Sequence, residues 1–190
     1  MKNKQLIAKL PKGWIDRWGS TLARKKKIIK IIEDNFINFG FSGLETPFAE
    51  ISENIGSFLA EDQSNPMSDV FSFRDGTDQL SVVYDNSAPL ARFFAENYRE
   101  LPSVYKRYQI ASVARNEKFD SKKIKLKSFT QADADIVGSV NKSQANAELI
   151  NLIADTLFKL DFESSQFKIC ISNRKIIEGF INDLKITDEK

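Results

Sequence analysis

The sequence predicts an α+β fold, in which a mostly antiparallel sheet is flanked by helices. Apolar and β-branched segments occur in neighbouring pairs joined by short polar turns, which is typical of hairpins. Segments with apolar residues at helical spacing separate these pairs irregularly, whereas a doubly wound parallel sheet requires regular alternation of strand and helix. The length of 190 residues is that of one domain.

Each predicted helix has apolar residues at helical spacing. The first begins with Ser20 as its N-cap and ends before Gly40. Its apolar face consists of Ile29, Ile32, Phe36 and Phe39. We interpret its basic run, 25–27, as a solvated helix face, with contact to RNA phosphates as the alternative. Further helices are predicted over 51–59, from Ser87 to Asn97, over 147–160 and from Asn173, with Ser87 and Asn173 as N-caps.

The predicted strands form two hairpins. Residues 70–73 and 80–84 flank the pair Asp75-Gly76, a strong turn signal. The longer hairpin joins 105–117 to 126–137 through a charged loop. Two further extended segments are predicted, 41–47 and 167–171.

Composition excludes several function classes. No apolar run approaches the roughly 18 residues of a membrane span, and the Lys-rich start lacks the apolar region of a secretory signal, so we expect a cytoplasmic protein without membrane association. The chain has no histidine and a single cysteine, Cys170, which excludes Cys/His zinc sites and histidine-dependent catalytic triads. The net charge of +2 is too small to indicate a nucleic acid partner by itself.

Both strands of the long hairpin have one polar face, because side chains alternate across a strand. The polar residues are Arg107, Gln109, Arg115 and Glu117 on the first strand and Lys127, Gln131, Asp133 and Asp135 on the second. Guanidinium groups bind carboxylates and phosphates, and carboxylates bind ammonium groups, so this face suits an amino acid together with a nucleotide. The alternative is an antiparallel sheet with one solvated face.

Several short strings carry a family resemblance. They comprise 10–13 with Asp16, 51–59, 84–85 with 87–92, 107–108, 115–118, Gln131 with 133–135, 137–138 and 173–175. In these strings, and in their order and spacing, the chain resembles the histidine-tRNA ligases (histidyl-tRNA synthetases), class II aminoacyl-tRNA synthetases, and particularly their alphaproteobacterial branch. The resemblance covers essentially the whole chain.

The resemblance implies that residues 1–190 are part of a class II catalytic domain. Motif 1 of the family corresponds to about 20–47 and motif 2 to about 105–138. The sequence ends before the positions of motif 3 and of the anticodon-binding domain. The resemblance also implies a homodimer, whose interface uses the first long helix and the segment that ends at Pro47.

The implied reaction joins histidine to its tRNA. ATP and histidine form histidyl-adenylate and pyrophosphate, and the histidyl group then passes to the terminal ribose of tRNA(His). Mg²⁺ accompanies ATP, and no metal bound by the protein itself is implied.

The resemblance assigns roles residue by residue. Arg115 matches the motif 2 arginine that grips the α-phosphate of ATP and is the expected catalytic residue. Glu117 matches the acid that positions the adenine end, and Lys127 is a further ATP-binding residue. The histidine-binding residues implied are Asp85, Ser87, Gln131 and Asp135.

Structural roles are the alternatives for these residues. Ser87 is also a helix N-cap, and Asp85 is suited to an Asx-turn before that helix. Arg115 and Glu117 are placed for an ion pair on one strand face. The aromatic residues of the hairpin, Tyr105, Tyr108 and Phe129, are assigned to packing and not to base stacking.

The chain departs from the family pattern at two internal places. Val83 replaces an arginine that precedes the tyrosine of the family's acidic segment, which removes a cation. In the motif 2 loop, 119–127, lysines replace arginines, which keeps the charge but loses bidentate hydrogen bonding. Because of these departures and the position of Lys190 before motif 3, two hypotheses stay open. The chain is either a catalytic-domain fragment of a ligase, incomplete by itself, or a non-catalytic paralogue such as a regulatory subunit of ATP phosphoribosyltransferase.

Overall fold

The computed structural model describes residues 8–56, 70–116 and 126–184. Within these ranges the chain has five helices and two small sheets. The helices are α1 (Gly19–Asn38), α2 (Ser52–Gly56), α3 (Ser87–Asn97), α4 (Lys142–Lys159) and α5 (Arg174–Asp183). The strands are β1 (Ser42–Gly43), β2 (Ala49–Ile51), β3 (Ser72–Asp75), β4 (Asp78–Val82), β5 (Val104–Ala114) and β6 (Ser128–Gly138).

Antiparallel pairing dominates both sheets, which confirms the predicted fold class. The larger sheet has the order β1-β5-β6, in which β5 and β6 pair antiparallel over eleven residues and β1 is parallel to β5. The smaller sheet has the order β2-β4-β3 and is antiparallel throughout. Both predicted hairpins are present, and the turn at Gly76 has the positive φ of +59° that favours glycine.

The main core lies between α1, α4 and the even-numbered face of the β5–β6 hairpin. Phe36, Phe41 and Leu152 form its buried centre. Tyr108 packs its ring against Phe36 at 5.8 Å between centroids, and its hydroxyl donates to Glu33 at 3.0 Å. This arrangement confirms the predicted apolar face of the hairpin, which the two helices cover.

For the opposite, polar face of the hairpin, the alternative interpretation as a solvated surface is wrong for β5. Arg107 and Gln109 are 0% and 3% exposed. The segment before α3 covers Arg107, because the carbonyl of Asn86 accepts from Arg107 Nη2 at 3.0 Å, and Phe93 of α3 packs on Tyr105. Gln109 is held by the segment after β1, where Oγ1 of Thr46 accepts from its Nε2 at 2.9 Å. Periodicity reports which side chains share a face, but not which element packs on that face.

A partly buried ion pair attaches the small sheet to α3. Glu50 on β2 is 7% exposed and accepts two hydrogen bonds from Arg92, one from Nη2 at 2.7 Å and one from Nε at 3.1 Å. Such bidentate pairs fix the relative orientation of the two elements that carry them. The strand β2 itself is absent from the prediction, which had only a helix starting near Ile51.

Some predicted boundaries are wrong. Helix α1 starts at Gly19 after Trp18, so Ser20 lies in the first turn and is not the N-cap. Helix α4 starts at Lys142, where Asn141 accepts from two backbone N–H groups, and not at 147. Residues 167–171 form no strand, because no described segment pairs with them.

Other boundaries agree with the prediction. Gly40 ends α1 with φ +79°. Asn173 accepts from the N–H of Lys175 at the start of α5, which confirms it as the N-cap. Helix α2 accounts for 52–56 of the predicted helix 51–59, and the positions after 56 lie outside the described residues.

Gly138 at the end of β6 is predicted to be irreplaceable. Its φ is +121°, and a Cβ atom there would lie 2.1 Å from the carbonyl oxygen of Ser103. We expect Gly138→Ala to lower the free energy of unfolding by about 2 kcal/mol or more, because the strained backbone dihedral of alanine and the clash of its Cβ with Ser103 both destabilise the folded state. Urea unfolding followed by circular dichroism measures this loss. The matched control is Gly179→Ala in α5, where a Cβ meets nothing within 4 Å and helix propensity favours alanine. Equal effects of the two substitutions would contradict the prediction.

Candidate functional site

The candidate site lies on the odd-numbered face of the β5–β6 hairpin, where the segment after β4 crosses it. The carbonyl of Val83 accepts from the N–H of Ala114 at 3.0 Å. The carbonyl of Tyr84 accepts from Nε of Arg115 at 3.2 Å. These two bonds bring residues 83–87 beside the end of β5, so Asp85 shares one surface with the polar residues of the hairpin.

Arg115 is held by two rings, a carbonyl and an amide. Its guanidinium carbon lies 4.4 Å from the ring centroid of Tyr84 and 5.1 Å from that of Phe129. Its Nη2 lies 3.4 Å from Oε1 of Gln131. No carboxylate among the described residues forms an ion pair with Arg115. The cation is therefore positioned without being neutralised, as a residue that binds an anionic ligand must be.

Gln131 connects Arg115 to an acidic residue that sequence reasoning did not assign to the site. Its Nε2 donates to both oxygens of Asp133, at 2.8 and 3.1 Å. Since Asp133 holds the amide nitrogen, the amide oxygen of Gln131 points towards Arg115 and the site. The signal for Asp133 was present in the sequence, because it shares the strand face of Gln131 and Asp135.

Asp135 forms an ion pair with Arg107, its cross-strand neighbour, at 2.8 Å between Oδ2 and Nη2. Burial raises the pKa of Asp135 above the usual carboxyl value, and the nearby carboxylates of Asp133 and Asp85 raise the pKa further, whereas the Arg107 guanidinium opposes the rise. The carboxylates of Asp85, Asp133 and Asp135 thus share one surface, with Arg107 beneath them.

Asp85 caps α3. Its Oδ1 accepts from the N–H groups of Ser87 and Ala88, at 3.0 and 3.1 Å. This confirms the Asx-type structural role for Asp85 and shows that Ser87 is not the N-cap, because the Ser87 N–H is itself a capped donor. Ser87 is exposed at the first residue of the helix.

The two remaining predicted ATP ligands are Lys127 and Glu117. Lys127 donates from Nζ to Oδ1 of Asn116 at 2.6 Å and lies 5.2 Å from the ring of Phe71. Its backbone N–H donates to Gly13 at 2.8 Å, so it joins the amino-terminal segment to the hairpin. Glu117 lies outside the described residues, and with it the predicted Arg115–Glu117 pair.

Below the carboxylates lies a layer of polar side chains whose burial the sequence did not predict. Asn86 is fully buried, and neither its Nδ2 nor its Oδ1 has a hydrogen-bond partner among the described residues. The same holds for Nε and Nη1 of Arg107 and for Oε1 of Gln109. Unpaired buried polar atoms cost free energy, so such a layer is typical of a site that is completed by a ligand, water or further polypeptide.

A groove of about 810 Å³ opens beside this layer, between the segment after β1 and the free edge of β5. Its walls come mainly from residues 43–48 and 108–112, and Asn86, Val83 and Glu33 complete it. Val83 is 3% exposed and donates its N–H to the carbonyl of Phe48. An apolar residue therefore fits this position, where the family that the chain resembles has arginine.

Within the described ranges no three His, Cys, Asp or Glu residues are placed so that they could hold a metal ion together. None of the helices in these ranges has the length and hydropathy of a membrane span. The donor set of the candidate site, one arginine, one glutamine and three aspartates, is suited to a cationic and an anionic group side by side. Such an arrangement can bind an amino acid next to a phosphate.

Comparison with known proteins finds similar sequences among the histidine-tRNA ligases. No family model matches the chain. The chain is 59% identical over 189 residues to the histidine-tRNA ligase of Pelagibacter ubique. The chain is homologous to the histidine-tRNA ligases. It is also 38% identical to the enzyme so named from Brucella suis and 39% identical to that from Bartonella quintana. The matches cover 96–100% of this chain but only 36–40% of the length of these relatives.

Solved structures confirm the fold class of the chain. The histidyl-tRNA synthetase of Nostoc superposes with a TM-score of 0.79 over 95% of the chain and 40% of its own length, at 23% identity. A Bacillus halodurans protein described as an ATP phosphoribosyltransferase regulatory subunit/histidyl-tRNA synthetase gives 0.71 over 85% of the chain and 40% of its own, at 21% identity. At these identities the likeness shows the α+β fold alone.

Substitutions at Asp85 and Ser87 distinguish two contributions to the stability of α3, the hydrogen bonds accepted by Asp85 and its negative charge. We expect Asp85→Ala to lower the free energy of unfolding by about 1 kcal/mol, because two N–H groups of α3 lose their acceptor. Asp85→Asn should retain most of the stability, since the amide oxygen of asparagine can accept the same two hydrogen bonds, and Ser87→Ala should change it by less than about 0.5 kcal/mol. Urea unfolding of the three variants is the measurement. An Asn variant as unstable as the Ala variant would assign the stabilisation to charge instead of capping.

Proposed function

We propose that this chain is part of the catalytic domain of a histidine-tRNA ligase. Its residues would bind ATP and histidine for the formation of histidyl-adenylate, and the histidyl group would then pass to tRNA(His). Because the chain spans about 40% of the relative from Pelagibacter, the reaction as a whole is proposed for a longer polypeptide that includes these residues. The observation that carries the proposal is the contact of Arg115 with Gln131 beside the carboxylates of Asp133, Asp135 and Asp85, in a chain 59% identical to a ligase.

Arg115 is the proposed anion-binding and catalytic residue. The carboxylate of histidine attacks the α-phosphorus of ATP, and the bond from that phosphorus to the bridging oxygen breaks as pyrophosphate leaves. Negative charge on the α-phosphate oxygens increases in the transition state, and a guanidinium held in place by Tyr84 and Phe129 stabilises it without reorganisation. Lys127 and Glu117 are the further ATP ligands proposed, and Mg²⁺ would arrive bound to the triphosphate.

The carboxylates form the proposed amino-acid side of the site. Asp85 and Asp135, together with the oxygen of Gln131, would accept hydrogen bonds from the ammonium and imidazole groups of histidine, and Ser87 lies exposed at the same helix start. This placement would bring the carboxylate of histidine towards Arg115 and the α-phosphate. Proximity and charge then supply the catalysis, and no nucleophile of the protein is required.

A second candidate function is that of a non-catalytic regulatory subunit of the kind named in the Bacillus halodurans structure. The buried Val83, in the place of the family's arginine, favours it. The ligase names of the relatives at 38–59% identity favour the first candidate. Cytoplasmic location belongs to either proposal.

Ligand binding by the purified chain tests the proposal. We expect calorimetry to detect ATP binding that is lost in Arg115→Ala and histidine binding that is lost in Gln131→Ala. The matched controls are Arg74→Ala and Gln144→Ala, both at exposed positions away from the hairpin face. Retention of either ligand in its matching variant would contradict the assignment. If the wild-type chain binds neither ligand, the regulatory or scaffold role replaces the proposed site.

We further propose that the chain forms a homodimer through α1 and the segment ending at Pro47. The edge of β5 at Ile110 and Ser112 has no backbone partner on the groove side among the described residues, and Phe48 beside it is 72% exposed. An unpaired strand edge next to an exposed ring is typical of a surface that a second chain covers.

Sedimentation velocity measures this association. We expect the wild-type chain to sediment as a dimer and Phe48→Asp to sediment as a monomer, because a carboxylate cannot be buried unpaired in the contact. Ile171→Asp is the matched control, since Ile171 is also 72% exposed but lies far along the chain from the groove. A monomeric wild-type chain at every concentration, or equal effects of the two substitutions, would refute the proposed interface.

A further inference from the structure

Gln131 is the side chain that joins the two halves of the candidate site. Its Oε1 lies 3.4 Å from Nη2 of Arg115, on the proposed phosphate side. Its Nε2 donates to both oxygens of Asp133, at 2.8 and 3.1 Å, on the proposed amino-acid side. A side-chain amide has a donor end and an acceptor end, so the end that faces the site decides which groups of a ligand it can bind.

The chemistry of its two neighbours fixes the orientation of this amide. The guanidinium of Arg115 can only donate hydrogen bonds, and the carboxylate of Asp133 can only accept them. The observed orientation satisfies both neighbours. Rotation of the amide by half a turn would place its nitrogen against the guanidinium and its oxygen against the carboxylate, and two repulsive contacts would replace the hydrogen bonds.

Asp133 contributes most to this orientation, because Gln131 has few other polar neighbours. Ala111 lies opposite Gln131 on β5, and Phe129 precedes it on the same face of β6. Neither of these two residues has a polar side-chain atom. The contact of Gln131 with Arg115 is long for a hydrogen bond, whereas its contact with Asp133 involves both carboxylate oxygens.

The carboxylate of Asp133 is in turn committed to this amide. Gln109 lies opposite Asp133 on β5, but its amide nitrogen donates to Thr46 at 2.9 Å and not to the carboxylate. None of the ion pairs between described residues includes Asp133. Both Asp133 and Gln131 are half-buried, so a ligand can reach the amide. A carboxylate in this position acts on a ligand through the amide that it holds.

The oxygen of Gln131 faces the place where the ammonium group of an amino acid would lie. A guanidinium such as that of Arg115 attracts the carboxylate of an amino acid as well as a phosphate. The ammonium and carboxylate groups of an amino acid are attached to the same carbon atom, so the ammonium group would lie close to Arg115 and therefore beside Gln131. Ammonium groups can only donate, so they require the oxygen of the amide and are repelled by its nitrogen.

We propose that Asp133 is a positioning residue for the binding of the ammonium group of histidine. By holding Nε2 of Gln131, it keeps Oε1 turned towards Arg115 and the ligand. The ammonium group then meets three acceptors, which are this oxygen and the carboxylates of Asp85 and Asp135. The inference rests on the proposed function and names the residue through which its amino-acid side is ordered.

Negative charge by itself is the alternative role of Asp133. Burial is the main reason that the pKa of Asp135 is raised, and the nearby carboxylate of Asp133 raises it further. A charge acts on any nearby cation and needs no hydrogen bond to Gln131, whereas positioning needs an acceptor atom but no charge. Asp133→Asn distinguishes these roles, because it removes the charge and retains an oxygen that can accept from Nε2.

The orientation of Gln131 can be measured without a ligand. In the ¹⁵N-labelled chain, its side-chain amide protons are the pair of signals that disappears in Gln131→Ala. We expect these protons to exchange with water at similar rates in the wild type and Asp133→Asn, and about tenfold faster in Asp133→Ala, because the amide loses its acceptor. An exchange rate in Asp133→Ala equal to that of the wild type would overturn the proposal.

Calorimetry measures the effect on binding. We expect Asp133→Ala to weaken histidine binding about tenfold and Asp133→Asn to weaken it less than about threefold, since asparagine retains the acceptor. ATP affinity should change less than about twofold in both variants, because Tyr84 and Phe129 still hold Arg115. The matched control is Asp183→Ala, which removes one negative charge at an exposed position of α5.

Each contrary result has a different meaning. Equal losses of histidine affinity in the Ala and Asn variants of Asp133 would assign this residue to charge, and equal losses of histidine and ATP affinity would assign it to the fold. Either result overturns the positioning role. If every variant binds histidine as the wild type does, this proposal fails and the proposed function stands. If the wild-type chain binds no histidine, the amino-acid side of the proposed function fails, and with it the role of Asp133 in ammonium binding.

Discussion

The register of the β5–β6 hairpin is the constraint on which the rest of the structure depends. Eleven consecutive residue pairs place Arg107 opposite Asp135 and Gln109 opposite Asp133. A slip by one residue would exchange the two faces, so that the apolar residues under α1 and α4 would face the candidate site. The core behind the sheet and the polar surface in front of it are therefore two consequences of one pairing.

The front of the hairpin becomes a site only because a distant segment crosses it. The small sheet aligns β4, and the Glu50–Arg92 pair orients α3. The segment that joins β4 to α3 therefore brings Asp85 to the end of β5. Asp85 serves the fold as the cap of α3 and the proposed function as a carboxylate. In this respect structural and functional roles are not alternatives, since a cap holds its side chain in one defined position, which a binding residue also requires.

Local signals predicted much of the fold. Alternation predicted both hairpins, Gly40 the end of α1 and Asn173 the start of α5, because these signals depend on near neighbours in the chain. The failures also have local causes. Ser20 and Ser87 are acceptable cap residues, but Trp18 and Asn86 occupy the N-cap positions of α1 and α3. The alternating 167–171 segment finds no strand to pair with among the described residues. Several residues can satisfy one local rule, and packing selects between them.

By itself, the sequence determined the α+β class, the two faces of the long hairpin and the set of residues, Arg115, Gln131, Asp135 and Asp85, from which a site can be built. The fold class, the two faces and the positions of Arg115, Gln131 and Asp135 follow from the period of the strand and from residue chemistry, whereas Asp85 was assigned only by the family resemblance. The tertiary structure alone decided that Arg107, Gln109 and Asn86 are buried, that Asp133 holds Gln131, and that Tyr84 and Phe129 enclose Arg115. Those contacts join residues as many as 31 positions apart. Which element covers which face is settled by the packing of the whole chain, and no spacing within one segment contains it.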